Sequence, residues 1–386
     1  MKRSSSRILT THAGSLPRPD DLRELLAAKG SQQPYDEAAL AQRLQTAVAD
    51  VVRQQHACGI DIVNDGELSK PNFSSYAQER LSGFEVRQWG PGEGPPPVSI
   101  SGRDRREFPE YFATRGGRAV LGTAQRQLFC TAPLRYIGHA AVQADIARLR
   151  AALQGVPVEE AFMTAVAPGT IEHWLGNEYY PSDEAFLYAI ADAMHEEYKA
   201  IVDAGFVLQI DDPDLADAWQ IHPDMSVAEY RKYAELRIDA LNHALRDLPS
   251  DRVRFHVCWG SYHGPHKHDI PLRDIVDLLL KVRAEAYSIE ASNPCHEHEW
   301  RVWEEVKLPE GKILIPGVVG HYSDFIEHPE LIAERLVRYA QLVGRENVIA
   351  GTDCGLGGRV GHPTIVWAKF QALAEGARLA SRQLWG

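Results

Sequence analysis

The chain has 386 residues, of which 44% are hydrophobic and 24% are charged. This ordinary globular composition excludes collagen-like, low-complexity and largely disordered chains. Lysine and arginine number 41 against 53 aspartates and glutamates, a net charge of −12, so we expect no nucleic-acid partner and no attraction to anionic lipid.

A short apolar strand followed by an amphipathic helix is the unit that repeats along the chain. Eight strands are predicted, at Ile8–Ser15, Ile60–Glu67, Ala161–Val166, Phe206–Asp211, Val253–Cys258, Ala286–Ser292, Lys312–Val319 and Asn347–Thr352. Long helical patterns lie between most of them, at Tyr35–His56, Asp183–Ala204, Val227–Leu245, Pro271–Arg283 and Pro329–Val343. Eight such units predict an α/β fold, a (β/α)8 TIM barrel, with a doubly wound open sheet as the competing arrangement.

One segment after the second strand, residues 84–140, does not follow this strand–helix repeat. It contains a glycine- and proline-rich run at 90–97 and two short alternating stretches, Val98–Gly102 and Arg118–Gly122. These features predict a hairpin-like insertion within a single domain that spans residues 1–386. Its position after a strand end predicts a mobile lid or a wall of the donor site. No glycine-rich phosphate-binding motif occurs in the sequence, which disfavours nucleotide chemistry.

The cysteines and the start of the chain indicate the compartment. Five scattered cysteines, an odd number, argue against a disulfide framework. Residues 1–7 are basic but no apolar signal segment follows them, and no run of 18 apolar residues occurs. We therefore expect a soluble, cytoplasmic protein without a membrane partner, acting on small molecules, and leave its oligomeric state open.

Polar side chains gather at the predicted strand ends, where a parallel barrel carries its active site. His256 and Cys258 are two positions apart on one strand, so both point into the barrel mouth. Glu290 ends the next strand, and Cys354 follows the last, which closes near the first. Two thiolates, one imidazole and one carboxylate suit a tetrahedral Zn²⁺ ion, although His and Cys in buried strands are also common core residues.

The remaining histidines and cysteines have simpler explanations than metal binding. Exposure to solvent in two polar loops explains the histidines His263, His266, His268, His296 and His298. Structural or incidental positions account for Cys58, Cys130 and Cys295.

Seven motifs, in chain order, resemble the catalytic half of cobalamin-independent methionine synthase. They are Gly14-Ser-Leu-Pro-Arg18, Asp65-Gly-Glu67, Leu208-Gln-Ile-Asp-Asp-Pro213, His256-Val-Cys258, Ile289-Glu-Ala-Ser292, Gly317-Val-Val319 and Asp353-Cys-Gly-Leu356. The resemblance implies a (β/α)8 barrel in which His256, Cys258, Glu290 and Cys354 bind catalytic zinc.

The resemblance also implies an amino-acid thiol site. Gly14 and Ser15 match the residues that hold the carboxylate of homocysteine, and Glu67 and Asp211 match those that hold its ammonium group. The catalytic histidine of the family has its nearest match in His321. We expect the substrate thiol to displace Glu290 or to expand the coordination, and an acid near the mouth, His321 or Asp212, to protonate the leaving group.

The function implied is zinc-dependent methyl or alkyl transfer to homocysteine or a similar thiol, giving a methionine-type thioether. Full-size synthases carry an additional N-terminal half that helps bind the polyglutamate tail of methyltetrahydrofolate, so the donor stays open among folate, corrinoid, epoxide and others. Two buried carboxylates, Glu67 and Asp211, favour a thiol that brings an ammonium group.

Three alternatives remain at this point. An epoxyalkane:coenzyme M transferase resembles the same family and opens an epoxide with a zinc-bound thiolate. A decarboxylase of the uroporphyrinogen type shares the barrel and requires no zinc. A non-catalytic binding protein would carry the same donors as a vestigial site.

Overall fold

A sheet of eight parallel strands forms the centre of the fold and nearly closes into a barrel. The computed structural model describes residues 1–30, 33–73, 75–89, 99–114 and 126–386. The strands in these ranges are β1 Leu9–Thr10, β2 Ile62–Val63, β3 Leu81–Gln88, β4 Arg126–Tyr136, β5 Glu160–Val166, β6 Leu175–Asn177, β7 Val207–Asp211, β8 Val253–Val257, β9 Ala286–Glu290, β10 Ile313–Val319 and β11 Ile349–Thr352.

Helices surround the barrel and connect its strands. They are α1 Asp20–Gly30, α2 Glu37–Ala57, α3 Tyr76–Arg80, α4 Gly102–Glu107, α5 Pro109–Thr114, α6 His139–Ala152, α7 Pro168–Glu172, α8 Asp183–Asp203, α9 Asp214–Ile221, α10 Val227–Ala244, α11 Val276–Leu279, α12 Val302–Glu305, α13 Pro329–Val343 and α14 Pro363–Trp385. Single 3₁₀ turns lie at Ser250–Arg252, Leu272–Asp274, Glu297–Arg301 and Arg345–Asn347. None of the helices in the described ranges is long and apolar enough to cross a membrane.

The strand order around the barrel is β1-β11-β10-β9-β8-β7-β5-β2, and the paired strands are parallel. The seam between β1 and β2 is bridged by the amide of Asp61, which donates to the carbonyl of Thr10 at 3.2 Å. The hydroxyl of Thr11 donates to the carbonyl of Ile62 at 3.1 Å. All eight predicted strands are present and the predicted TIM barrel is confirmed.

Apolar side chains from the strands fill one end of the barrel interior. They form a separate buried cluster of Leu9, Ile62, Phe162, Val207, Ala286, Ile313, Ile315 and Ile349. Such a layer makes the interior a packed core rather than a pore. The polar strand ends predicted to carry the chemistry lie at the carboxyl end of the same strands.

The predicted insertion over residues 84–140 is only partly described, and its hairpin-like form stays a prediction. Residues 90–97, Val98 and Arg118–Gly122 lie outside the described residues, and residues 99–102 form a turn and the start of α4 rather than a strand. The residues after Gly102 are charged helix formers, and Pro109 begins α5, a position that tolerates its missing N–H. The antiparallel pair in this region is β3 with β4, to which β6 adds in parallel.

The predicted helix over Pro271–Arg283 is wrong. The structure has only a 3₁₀ turn and the four-residue α11 there. Side chains of other elements form hydrogen bonds with the backbone of this segment. Glu299 accepts the amide of Leu272 at 2.6 Å, and Arg231 donates to the carbonyl of Asp274 at 2.5 Å. The apolar spacing that predicted a helix therefore reflects burial of short turns.

A candidate metal-thiolate active site

A cavity of about 210 Å³ opens at the carboxyl ends of the barrel strands. Its lining comes from nearly every part of the barrel mouth: Ala13, Ser15, Arg18, Glu67, Pro71, Asn72, Phe73, Ile100, Trp174, Asp211, Pro213, Asp214, Asp217, His256, Cys258, Gly260, Ser261, Tyr262, Cys354, Gly355, Gly357 and Arg359. Most residues singled out from the sequence thus meet in one place, as the barrel geometry predicts.

Three of the four predicted metal donors converge on one wall of this cavity. One ligand atom each from His256, Cys258 and Cys354 lies within 4.8 Å of the others. The sulfurs of Cys258 and Cys354 are 3.7 Å apart. Bonds of about 2.3 Å at a tetrahedral angle place two thiolates about 3.8 Å apart on one zinc ion, so the spacing fits that metal.

The imidazole of His256 is oriented for a ligand. Its Nδ1 lies 3.1 Å from the hydroxyl of Ser288 on the neighbouring strand. Its Nε2 is buried and has no hydrogen-bond partner among the described residues. A buried nitrogen without a partner is costly, and a metal ion between it and the thiols removes that cost.

Glu290, the fourth predicted donor, stands next to this group but outside it. One carboxylate oxygen accepts the amide of Trp259 at 2.9 Å, and the other accepts the side-chain amide of Asn293. Burial and the nearby charge of Asp353 hold the pKa of Glu290 well above its usual range. Its carboxylate is therefore held by protein donors beside the three-residue group.

Two buried carboxylates, Glu67 and Asp211, line the side of the cavity predicted for the ammonium group. Burial raises the pKa of Asp211 to about 7, and the charge of Glu67 adds to the effect. The Arg18 guanidinium donates to the backbone carbonyls of Glu67 and Lys70, each at 2.7 Å, rather than to either carboxylate. The two carboxyl groups thus form an acidic corner of the cavity, and the buried Lys70 is the cation whose charge acts on both.

Gly14 makes this corner possible. Its φ is +136°, and a Cβ atom there would lie 2.4 Å from Oε1 of Glu67. Only glycine combines that backbone conformation with so close a neighbour. The adjacent Ser15 carbonyl accepts the amides of Leu356 and Gly357, each at 2.9 Å, so the first strand end and the loop after β11 are joined.

The two predicted acids, His321 and Asp212, do not line the cavity. His321 is fully buried, and neither ring nitrogen has a hydrogen-bond partner among the described residues. Burial lowers its pKa to about 4. Asp212 accepts the hydroxyl of Thr170 at 2.8 Å, and burial raises its pKa to about 7.

Sequence reasoning missed three further residues of the cavity lining, Asp214, Asp217 and Trp174. Both carboxylates are buried, and burial together with the charge of Asp214 raises the pKa of Asp217 well above its usual range. The signal was present, because Asp214 and Asp217 are three residues apart at the start of a helix that follows a predicted strand end. Acidic residues are common in the first turn of helices, so this spacing alone did not indicate a function.

The explanation of His266 and His296 by exposure to solvent is wrong, since both are buried. His266 Nδ1 and His296 Nε2 lie 2.8 and 3.2 Å from the same oxygen of Asp269, and His296 Nδ1 lies 2.8 Å from Glu299. His263 and His298 are exposed as expected. The buried pairs hold the loop that follows Cys258.

The chain matches a known family model and is similar to curated methionine synthases. Residues 129–375 match the family model of the catalytic domain of cobalamin-independent synthase. The methionine synthase of Sulfolobus acidocaldarius is 26% identical over 358 residues, which cover 90% of this chain and 85% of that protein. The methionine synthase of Thermococcus kodakarensis is 24% identical over 389 residues, which cover 97% of this chain and 94% of that protein.

Solved structures share the fold. The B12-independent methionine synthase of Shewanella sp. W3-18-1, in complex with selenomethionine, superposes with a TM-score of 0.73 at 21% identity, covering 98% of this chain and 99% of that one. A putative vitamin-B12-independent methionine synthase of Listeria monocytogenes gives a TM-score of 0.66 at 17% identity, covering 98% and 99%.

Proposed function

This chain belongs to the family of cobalamin-independent synthase catalytic domains, and from that premise we propose that it transfers a methyl group to the thiol of homocysteine and forms methionine. As a member of this family it is an enzyme of the methyltransferase type. The observation that carries the proposal is the convergence of His256, Cys258 and Cys354 on one wall of the cavity. The methionine synthases to which the chain is similar support the same reaction.

Zinc is the proposed metal, with His256 Nε2, the sulfurs of Cys258 and Cys354, and Glu290 as its ligands. The 3.7 Å sulfur separation and the unpartnered imidazole nitrogen support it. Bound zinc would supply a substrate sulfur that is deprotonated at neutral pH and still nucleophilic. Glu290, already held by Trp259 and Asn293, is the donor proposed to exchange.

The remaining proposed roles concern the amino-acid end of homocysteine. Gly14 and Ser15 hold its carboxylate, and Glu67 and Asp211 hold its ammonium group. The charge of an ammonium ion offsets the cost of burying two carboxylates in one corner. Binding at both ends orients the thiol toward the three-residue donor group, and orientation of reacting groups is a large part of catalysis.

The cavity lining and the family match disfavour the three alternative functions. Four carboxyl groups line the cavity, at Glu67, Asp211, Asp214 and Asp217, against two guanidinium groups, Arg18 and Arg359. Carboxyl groups thus outnumber cations, which favours an amino thiol over the sulfonate of coenzyme M. A decarboxylase of the uroporphyrinogen type belongs to another family than the one matched. A vestigial site is disfavoured by the intact donor set, because unused buried polar groups are costly.

The test is a product assay on zinc-loaded protein. Homocysteine and a methyltetrahydrofolate donor are supplied, and methionine is measured by mass spectrometry; coenzyme M with an epoxide is the parallel reaction. Methionine formation above the uncatalysed rate supports the proposal. Alkylation of coenzyme M with no turnover of homocysteine would contradict it.

A further inference from the structure

One buried carboxylate, Asp353, joins the end of β9, which carries Glu290, to the end of β11. Asp353 directly precedes the metal donor Cys354, and its side chain is fully buried. Its Oδ1 accepts the backbone amides of Ala291 at 2.8 Å and of Ser292 at 3.0 Å. Its Oδ2 accepts the hydroxyl of Ser292 at 2.6 Å. All three hydrogen bonds therefore go to the two residues that follow Glu290.

These hydrogen bonds cross a strand, because β10 lies between β9 and β11 and pairs with both. The residue of β10 at the crossing is Gly317, whose register partners are Glu290 on one side and Gly351 on the other. A Cβ atom at Gly317 would lie 2.5 Å from both the backbone nitrogen and Oδ1 of Asp353. The missing side chain thus makes the opening through which the carboxylate reaches β9, and it gives a role to the Gly317-Val-Val319 motif, which the proposed function leaves without one.

The position of the Asp353 carboxylate is fixed from several directions. The amide of Asp353 donates to the carbonyl of Val319 at 2.9 Å. The buried guanidinium of Arg335 donates to the carbonyls of Val318 at 3.0 Å and of Ser292 at 3.5 Å, so it joins the ends of β10 and β9 as well. A buried carboxylate is costly unless its oxygens accept hydrogen bonds, and both oxygens of Asp353 do. The connection between the strand ends is therefore complete within the protein.

Glu290 is the metal donor that depends on this connection. Asp353 does not line the cavity, so any effect on the site passes through the residues that it binds. His256, Cys258 and Cys354 already converge, whereas Glu290 stands outside that group. The place of the Glu290 carboxylate relative to the other donors therefore depends on where the end of β9 is held. Partners of this kind, one step removed from a metal, orient its ligands.

Building on the proposed function, we propose that Asp353 is a positioning residue for Glu290. Through the opening at Gly317 it fixes the end of β9, and so holds the exchangeable donor beside the other three. It acts by its hydrogen bonds to Ala291 and Ser292 rather than by its charge. Substitutions of such supporting residues typically weaken metal binding by about 10- to 100-fold.

The test measures the zinc dissociation constant by competition with a chelator, together with the absorption spectrum of the cobalt-substituted protein. The proteins are the wild type, Asp353→Ala, Asp353→Asn, Glu290→Gln and the double variant with Asp353→Ala and Glu290→Gln. Alanine removes all three hydrogen bonds. Asparagine keeps an oxygen for the two backbone amides and an NH2 group that can donate to the Ser292 hydroxyl. Denaturant unfolding establishes that each variant is folded.

For Asp353→Ala we expect the zinc dissociation constant to rise about tenfold, and Asp353→Asn should bind zinc like the wild type. In the Glu290→Gln background, Asp353→Ala should change the constant by no more than about twofold, because two residues that act through one ligand have non-additive effects. The thiolate-to-cobalt absorption of Asp353→Ala should persist while the visible bands, which report coordination geometry, change. Additive effects of the two substitutions, an Asp353→Asn protein as weak as Asp353→Ala, or unchanged affinity and spectrum in Asp353→Ala would overturn the inference.

The opening at Gly317 is tested by a pair of glycine variants. Gly317→Ala places a Cβ atom 2.5 Å from Asp353 and should weaken zinc binding as Asp353→Ala does. Gly320→Ala is the matched control in the loop after β10, since its Cβ atom would lie 3.4 Å from Glu327 and Ser292, an ordinary contact. Equal zinc affinity of the two variants would overturn the crossing at Gly317. If Gly317→Ala does not fold, the comparison of Asp353→Ala with the double variant decides. A wild type that binds neither zinc nor cobalt contradicts the proposed function itself, and the inference falls with it.

Discussion

The sulfurs of Cys258 and Cys354 lie 3.7 Å apart although the two residues are 96 positions apart in the chain. The contact exists because β8 and β11 end at the same mouth of the barrel, so that the residues following them face a common cavity. All five cysteines of the chain are free thiols, and this pair is the one accompanied by an unpartnered imidazole. The proposed function depends on that relationship.

Cys354→Ser should remove most of the bound zinc and most of the activity. A hydroxyl is a far poorer zinc ligand than a thiolate, and metal affinity depends on deprotonated ligands. Zinc per chain is measured by mass spectrometry beside methionine formation. Cys295→Ser is the matched control, since the Cys295 thiol is free and does not line the cavity. Full zinc and full turnover in Cys354→Ser would rule out the assignment of this ligand.

Glu290→Gln should lose less zinc than Cys354→Ser does. The Glu290 carboxylate lies outside the three-residue donor group and already accepts two protein hydrogen bonds. A glutamine amide in its place keeps one acceptor oxygen, replaces the other with an NH2 donor, and removes the charge. The zinc dissociation constants of the two variants are compared by competition with a chelator. The proposed role of Glu290 as the exchangeable donor is wrong if its variant holds zinc more weakly than Cys354→Ser.

Asp211→Asn should weaken homocysteine binding and leave zinc in place. Loss of a hydrogen bond to a charged group costs about 1.5–3 kcal/mol, which corresponds to roughly a 10- to 150-fold rise in the concentration needed for half-saturation. The measurement is the KM for homocysteine beside zinc content. An unchanged KM would show that Asp211 orients its own loop instead, through its contact with Gln209 at 2.6 Å.

Gly14→Ala should lower kcat/KM for homocysteine by about tenfold or more, because a Cβ atom would lie 2.4 Å from Oε1 of Glu67 at a φ of +136°. Gly155→Ala is the control for backbone strain alone, since Gly155 has a φ of +75° and nothing within 4 Å of its added Cβ. Steady-state kinetics on both variants separate the two effects. An equal change of kcat/KM in the two variants would contradict the role of Gly14 in shaping the acidic corner.

Stability should fall as the pH rises toward about 10 because of His296. Burial alone lowers the pKa of this imidazole, but hydrogen bonds to Asp269 and Glu299 raise it to about 10. An unfolded histidine loses its proton near pH 6.5, so between these values the folded state binds one proton more than the unfolded state. The free energy of unfolding then falls with pH, by at most about 1.4 kcal/mol per pH unit.

Denaturant unfolding of the wild type and His296→Gln between pH 6.5 and 10 tests this statement. The slope of unfolding free energy against pH should be shallower in the variant, because one titrating group is gone. The carboxyl groups that act on this imidazole, Asp269, Glu299 and Glu290, remain in both proteins. Parallel slopes would show that His296 is neutral in the folded state.

Local patterns predicted much of the architecture. The eight strands appear as short apolar runs that end in polar residues, and the strand-end rule of parallel barrels predicts that His256, Cys258 and Cys354 meet, as they do. The family resemblance assigned Glu67 and Asp211 to the ammonium site, and both line the cavity. Each strand and its polar end are encoded by one segment of sequence, and the barrel fold brings these ends together.

Features that depend on side chains from distant segments were not predictable. Asp353 and Ser292 are far apart in the sequence, and each has an ordinary explanation within its own segment, as a polar residue after a strand end. His266 and His296 are buried because both meet Asp269. The apolar spacing over Pro271–Arg283 predicted a helix, because periodic apolar residues indicate which side chains are buried. The spacing does not show which backbone groups form hydrogen bonds with side chains of other segments.

Chelation and reconstitution of the wild-type protein test the central claim most directly. Zinc is removed, methionine formation from homocysteine is measured, and zinc is returned in steps while activity and bound metal are followed together. The account predicts that the metal-free protein is inactive and that activity returns in proportion to zinc, reaching its maximum at about one zinc per chain. Undiminished methionine formation by the metal-free protein would contradict it.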